Sequence, residues 1–112
     1  MQNQYRLKEN RDFRRVFRRG KSFATHRLVL YYCDNRQSIV RVGFSISKKV
    51  GNAVVRNRVK RMLRAGFQSL LPELKDKSLD IVVVCRKDAA EADYHELMQD
   101  VMKLISKARI VV

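Results

Sequence analysis

From Asn35 to Pro72 the chain carries no acidic residue, and over all 112 residues only 11 Asp and Glu stand against 25 Lys and Arg. That imbalance, a formal +14, works against compaction by self-repulsion, and a polyanionic partner is what naturally relieves it. Long apolar runs are missing as well. No stretch approaches the about 18 uninterrupted apolar residues of a membrane helix, and Met1 to Lys8 lacks the apolar core of a signal peptide. The expected setting is therefore the cytoplasm, with no membrane contact. Cysteine is scarce: Cys33 and Cys85 each lie in an apolar, strand-like run without Cys-x-x-Cys spacing, and both read as buried free thiols. His26 and His95 are far apart and belong to no nucleophile or metal motif. With no carboxylate cluster and no histidine pair to activate water, a stand-alone nuclease is disfavoured. Repeats, low-complexity tracts and linkers are absent, and the one proline, Pro72, is expected to end a helix.

What is present suffices for one core. The chain is 46% hydrophobic, enough to fold alone despite 32% charged residues, and residues 1–112 read as a single domain. No obligate protein partner is evident. The charge is unevenly spread. Residues 1–71 hold 18 of the cations against Glu9, Asp12 and Asp34, whereas residues 72–112 hold 7 against 8 acids. Only the first two thirds look built for a polyanion.

Leu7, Phe13, Val16 and Phe17 interleave with arginines up to Gly20, which suits a short basic helix closed by glycine. Ser22 to Cys33 is rich in β-formers and predicts a strand or a bent pair, with a turn at Asp34-Asn35. From Ile39 the pattern alternates: Val40, Val42, Phe44 and Ile46 point one way, and Arg41, Gly43, Ser45 and Ser47 the other. Gly51 is read as permitting a tight turn, and Asn52 as capping a helix from Ala53 to Leu71 whose inner stripe is Val55, Val59, Met62, Leu63, Gly66 and Leu70. Leu79 to Cys85 reads as a buried strand. A last helix, Ala92 to Ala108, turns Tyr94, Leu97, Val101, Leu104 and Ile105 inward and leaves Glu91, Glu96, Asp100 and Lys103 to solvent. The fold class is α+β, in the order α-β-β-(β)-α-β-α.

On the long helix, at about 100° per residue, Arg56, Lys60 and Arg64 form a stripe with Asn57 and Arg61 beside it and Arg58 further round. No carboxylate lies within the helix to pair with them, as a merely soluble helix would have. Arginine's planar fork suits phosphate oxygens, and Lys48 and Lys49 add charge near a helix N-terminus that already favours anions. This reads as a phosphate-binding surface. A DNA-binding helix-turn-helix is disfavoured because strands frame the helix. Phe13 and Phe17, at i, i+4 among arginines, together with Tyr31, suit stacking on unpaired bases. Periodicity leaves open whether the two phenylalanines stack on bases or fill the core.

The run Lys48-Lys49-Val50-Gly51-Asn52-Ala53-Val54-Val55-Arg56-Asn57-Arg58-Val59-Lys60-Arg61, with Asp12-Phe13, Phe17 and Val29-Leu30-Tyr31 upstream, resembles the signature of the bacterial ribonuclease P protein family over nearly the whole chain. The resemblance implies a single-domain α-β sandwich with a left-handed β-α-β crossover, against the usual hand. It implies a subunit of the ribonuclease P ribonucleoprotein that helps a catalytic RNA bind precursor tRNA and remove its 5′ leader. No catalytic residue is expected in the protein itself, and magnesium would be held chiefly by RNA phosphates. By position, Arg56, Asn57, Arg58, Lys60, Arg61 and Arg64 correspond to the family's basic helix against the catalytic RNA, with Lys48, Lys49 and Asn52 at its approach. Phe13, Phe17 and Tyr31 correspond to the aromatic members of a cleft for the single-stranded leader, with Ser45 and Ser47 on its floor. The alternative is an RNA-binding protein of ribosomal type, which would share the basic helix but need no leader cleft.

Overall fold

The computed structural model describes residues 1–110. Alternating apolar residues make a four-stranded sheet in the order β1-β2-β4-β3, from Lys21–Ala24, Leu28–Asp34, Arg41–Ile46 (β3) and Leu79–Cys85 (β4). The segment from Ser22 to Cys33, expected as a strand or a bent pair, is the antiparallel hairpin β1-β2, and β2 pairs antiparallel with β4. β3 runs parallel to β4, and the long helix α2, Ala53–Leu74, connects them. Helix α1 spans Asn10–Arg19 and α3 spans Tyr94–Ala108, so the order is α-β-β-β-α-β-α. No helix among the described residues is long and apolar enough to cross a membrane.

Strand alternation divides the sheet between two cores. Leu28, Leu30, Val42, Ile81, Val83 and Cys85 pack with Val59, Leu63 and Phe67 of α2 and with Leu97, Val101 and Leu104 of α3. On the other face Leu7, Val16 and Val82 form a much smaller cluster under α1, edged by Phe13, Tyr31, Cys33 and Val84. Burial pushes the Cys85 thiol up to about 12 and also raises that of Cys33, so both stay protonated at neutral pH. Cys33 is only half-buried, because α1 covers that face incompletely.

Three expectations fail for local reasons. Pro72 lies inside α2: its ring is on the exposed side of the last turn, and buried Leu71 and Leu74 hold that turn to the core. Tyr94 is exposed, being the first residue after the Asp93 cap, which with Glu96 forms a reciprocal capping box. Asp100 is buried rather than solvated. Arg27 of the β1-β2 turn donates to Asp100 (3.1 Å) and to Glu96 (2.9 Å), tying hairpin to helix. The sequence pattern also overlooked Phe67, which is fully buried and meets Phe44 edge-on at 5.9 Å. Among the described residues no glycine has a positive φ, so neither Gly20 nor Gly51 uses left-handed freedom. Gly20 is required by close approach instead: a Cβ there would lie 2.5 Å from the Val16 carbonyl oxygen and 2.8 Å from that of Tyr32.

Few apolar side chains attach α1, so a polar anchor matters. Asp80, fully buried on β4, accepts from Arg41 Nε (2.9 Å) and Nη2 (2.8 Å), from Asn35 Nδ2 (2.9 Å) and from Arg15 of α1. Arg15 also donates to Asp12 (2.9 Å), itself nearly buried. Asp80→Asn leaves two arginines short of a carboxylate. We expect a loss of about 2–3 kcal/mol, less than a fully buried pair because Arg15 and Arg41 keep some solvent. Urea unfolding, with a lowered midpoint and unchanged slope, checks this.

Candidate nucleic-acid interface

Helix α1 lies mainly over β2 and β4, and on the same face of the edge strand β3 it covers Gly43 while Ser45 stays half-exposed. The Phe13 ring packs onto Gly43, where an added Cβ would sit 2.5 Å from a ring carbon. Beside it Asn10, Phe13, Arg14 and Phe17 form one wall of a hollow of about 430 Å³, with Phe44 and Ser45 opposite. Phe17 is 41% exposed, unusual for phenylalanine. Tyr31 of β2 meets the Phe17 ring edge-on at 4.9 Å between centroids, which fixes its tilt. The structure thus joins Phe13, Phe17 and Ser45 on one groove with Tyr31 supporting it. Ser47 is different. It lies beyond the end of β3, and its hydroxyl accepts from the Lys49 amide (3.3 Å) in the turn that follows.

A second hollow, about 280 Å³, adjoins the first through Phe13 and Phe44 and brings Arg6, Lys8, Lys60 and Arg64 together with Gly43. The first two cations arrive because the N-terminal segment docks along β3, with the Leu7 amide donating to the Val42 carbonyl (3.0 Å). Among the described residues no carboxylate borders this hollow. The Nε of Arg64 is buried without a hydrogen-bond partner, so its guanidinium is not committed to the protein at that atom.

The far face of α2 presents Asn57, Arg58 and Arg61 around Val54, which is 76% exposed. Asn52 caps the helix by accepting from the Val55 amide (3.0 Å). Arg56 donates through Nε to the Gly51 carbonyl (3.1 Å), and Arg58 donates to the Ala90 carbonyl. Among the described residues the arginines in ion pairs are Arg11, Arg15, Arg27 and Arg41; no cation of α2 is in one. Lys48 and Lys49 are exposed in the turn before the helix. The cations therefore fall into two sets: Lys60 and Arg64 beside the groove, and Arg58 and Arg61, with the amide of Asn57, away from it. Sequence reasoning missed Arg6, Lys8, Asn10 and Arg14 as lining residues. Only the long-range pairing of the N-terminal segment with β3 reveals the first two, whereas Arg14, one residue from Phe13 on a basic helix, was there to be found.

The family model described as Ribonuclease P matches residues 1–109. The ribonuclease P protein component of Clostridium botulinum (strain Langeland) is 42% identical over 105 residues, covering 94% of this chain and 95% of that protein. That of Listeria innocua is 40% identical over 112 residues, covering 99% and 93%. Among solved structures, the Staphylococcus aureus ribonuclease P protein superposes with a TM-score of 0.89 at 33% identity, covering 96% of this chain and 98% of that one. The Thermotoga maritima ribonuclease P protein gives 0.81 at 29% identity, covering 91% and 96%. With a family match over nearly the whole chain and relatives at 40–42% identity along its length, the chain belongs to the ribonuclease P protein family, the protein subunits of a tRNA-processing ribonucleoprotein.

Proposed function

We propose that this subunit binds ribonuclease P RNA with the outer face of α2 and holds the 5′ leader of precursor tRNA in the groove between α1 and β3. The observation that carries the reading is the pairing of an exposed, braced Phe17 with cations that lack carboxylate partners. A single strand presents bases to stack and phosphates to neutralise, and the groove offers both kinds of group side by side. Phe17 and Phe13 take the bases, Ser45 supplies a polar floor, and Lys60, Arg64, Arg6 and Lys8 take the backbone. Asn57, Arg58 and Arg61, with Lys48, Lys49 and Arg56 at the start of the helix, face the catalytic RNA. Asn52 serves the helix as its cap.

Ribonuclease P chemistry calls on magnesium, and the chain's residues do not fit that ion. Asp12 and Asp80 are already engaged by Arg15 and Arg41, and Glu9, between the lining residues Lys8 and Asn10 in sequence, stands alone beside Arg11. We assign the ion to RNA phosphates and the cleavage step to the RNA, with the protein contributing binding and orientation. The setting is the cytoplasm, where precursor tRNA is met.

Two outcomes are expected. Arg56→Ala with Arg61→Ala weakens binding to the catalytic RNA and reduces the magnitude of its log–log salt slope by about 1 to 2, on the order of one counterion per phosphate contact. Binding titrations at several salt concentrations measure it, and an unchanged slope would sink the assignment. Phe17→Ala weakens the holoenzyme's grip on precursor tRNA by roughly 5- to 100-fold, the worth of one base stack, and spares mature tRNA. Equal losses for both would show Phe17 to be merely structural.

A further inference from the structure

Half of the ten residues of α1 are arginine: Arg11, Arg14, Arg15, Arg18 and Arg19. At about 100° per residue Arg14, Arg18, Arg11 and Arg15 fall in one sector, turned away from the buried Val16. Arg15 bends down to Asp80 and Asp12, whereas the others have little to hold them. Glu9 approaches Arg11 at 3.6 Å with both side chains largely exposed, and Arg14, Arg18 and Arg19 form no ion pair among the described residues. Packing cations at i, i+3 and i+4 is unfavourable within a helix, and the macrodipole further disfavours Arg11 in the first turn. Helix stability therefore does not explain this crest. Charge complementarity to a polyanion does.

The crest is continuous with the groove, since Arg14 lines the hollow beside Phe13 and Phe17 and also belongs to the arginine sector. Resting on the leader reading above, we propose that Arg11, Arg14 and Arg18 form a second phosphate track, which takes the leader's backbone upstream of the nucleotides seated in the groove. A strand leaving Phe17 passes Arg14 and meets the guanidinium groups of Arg18 and Arg11. Arg11 and Arg18 lie outside the hollow that holds Phe13 and Phe17, so that end of the track grips phosphates and is indifferent to base identity. Contact with the catalytic RNA instead is an outcome that the test separates.

The test uses holoenzyme reconstituted from the full chain and a bacterial ribonuclease P RNA, with precursor tRNAs whose leaders are about 4 or about 12 nucleotides long. The variant is R11Q/R18Q, two surface positions outside the groove. The expected result is unchanged affinity for the short leader. For the long leader, affinity falls and the salt slope is shallower by about 1 to 1.5, at roughly 0.7 per phosphate on a single strand. R11K/R18K, which keeps both charges, retains most of the long-leader slope. Equal loss for both leaders, loss confined to assembly with the catalytic RNA, or an unaltered long leader would each overturn the proposal. Phe17→Ala measured alongside separates failure of the groove from failure of the crest. If it leaves both leaders unaffected, the groove reading fails; if it weakens both while R11Q/R18Q weakens neither, the crest alone fails.

Discussion

The fold depends on one buried carboxylate. Helix α1 is too polar to be held on the sheet by apolar packing, since Val16 is its only fully buried apolar side chain. Asp80 does what hydrophobic area cannot, by accepting from Arg15 of α1, Arg41 of β3 and Asn35 of the β2-β3 connection at once. Strand β4 is central, so the anchor is fixed by its pairing on both sides. Through it the position of α1 is set relative to β3, and hence the width of the groove that Phe13 and Phe17 overlook. A charged helix can sit on a sheet in this way and still keep most of its charge outward.

The same economy appears at the edge strand. One face of β3 packs Val42 into the main core, while the other offers Gly43 to the Phe13 ring and Ser45 to the groove. The parallel connection through α2 then returns a basic helix alongside, placing Lys60 and Arg64 next to that groove and Asn57 and Arg61 away from it. A single amphipathic element thus has three faces, one in the core, one beside the groove and one turned away from it. The acid-free stretch from Asn35 to Pro72 ensures that nothing within it neutralises the outer two.

Much of this was legible in the sequence because it is local. Period-2 alternation from Val40 to Ile46 and the spacing of Val59 and Leu63 reveal strand and helix directly, and the arginine-asparagine-arginine run carries the family resemblance. What escaped is long-range. That Asp100 is buried depends on Arg27, 73 residues earlier, and no helical wheel contains that partner. The intrinsic preference of Pro72 predicts a helix end, which burial of Leu71 and Leu74 overrides. The ambiguity of Phe13 and Phe17 resolves into a division of labour: Phe13 is half-buried on Gly43, and Phe17 stands out against Tyr31. Ser45 and Ser47 share strand parity, yet β3 ends between them, and that boundary follows from pairing with β4 rather than from composition.

The account rests on the protein supplying RNA-binding surfaces and no reacting group. It is tested most directly by the rate of 5′ cleavage of a precursor tRNA by a bacterial ribonuclease P RNA, at a magnesium concentration too low for the RNA alone, with and without this chain. Added protein should restore cleavage at the mature 5′ end while giving none in the absence of the RNA. Failure to stimulate despite binding to the RNA, or cleavage at that site by the protein alone, would contradict it.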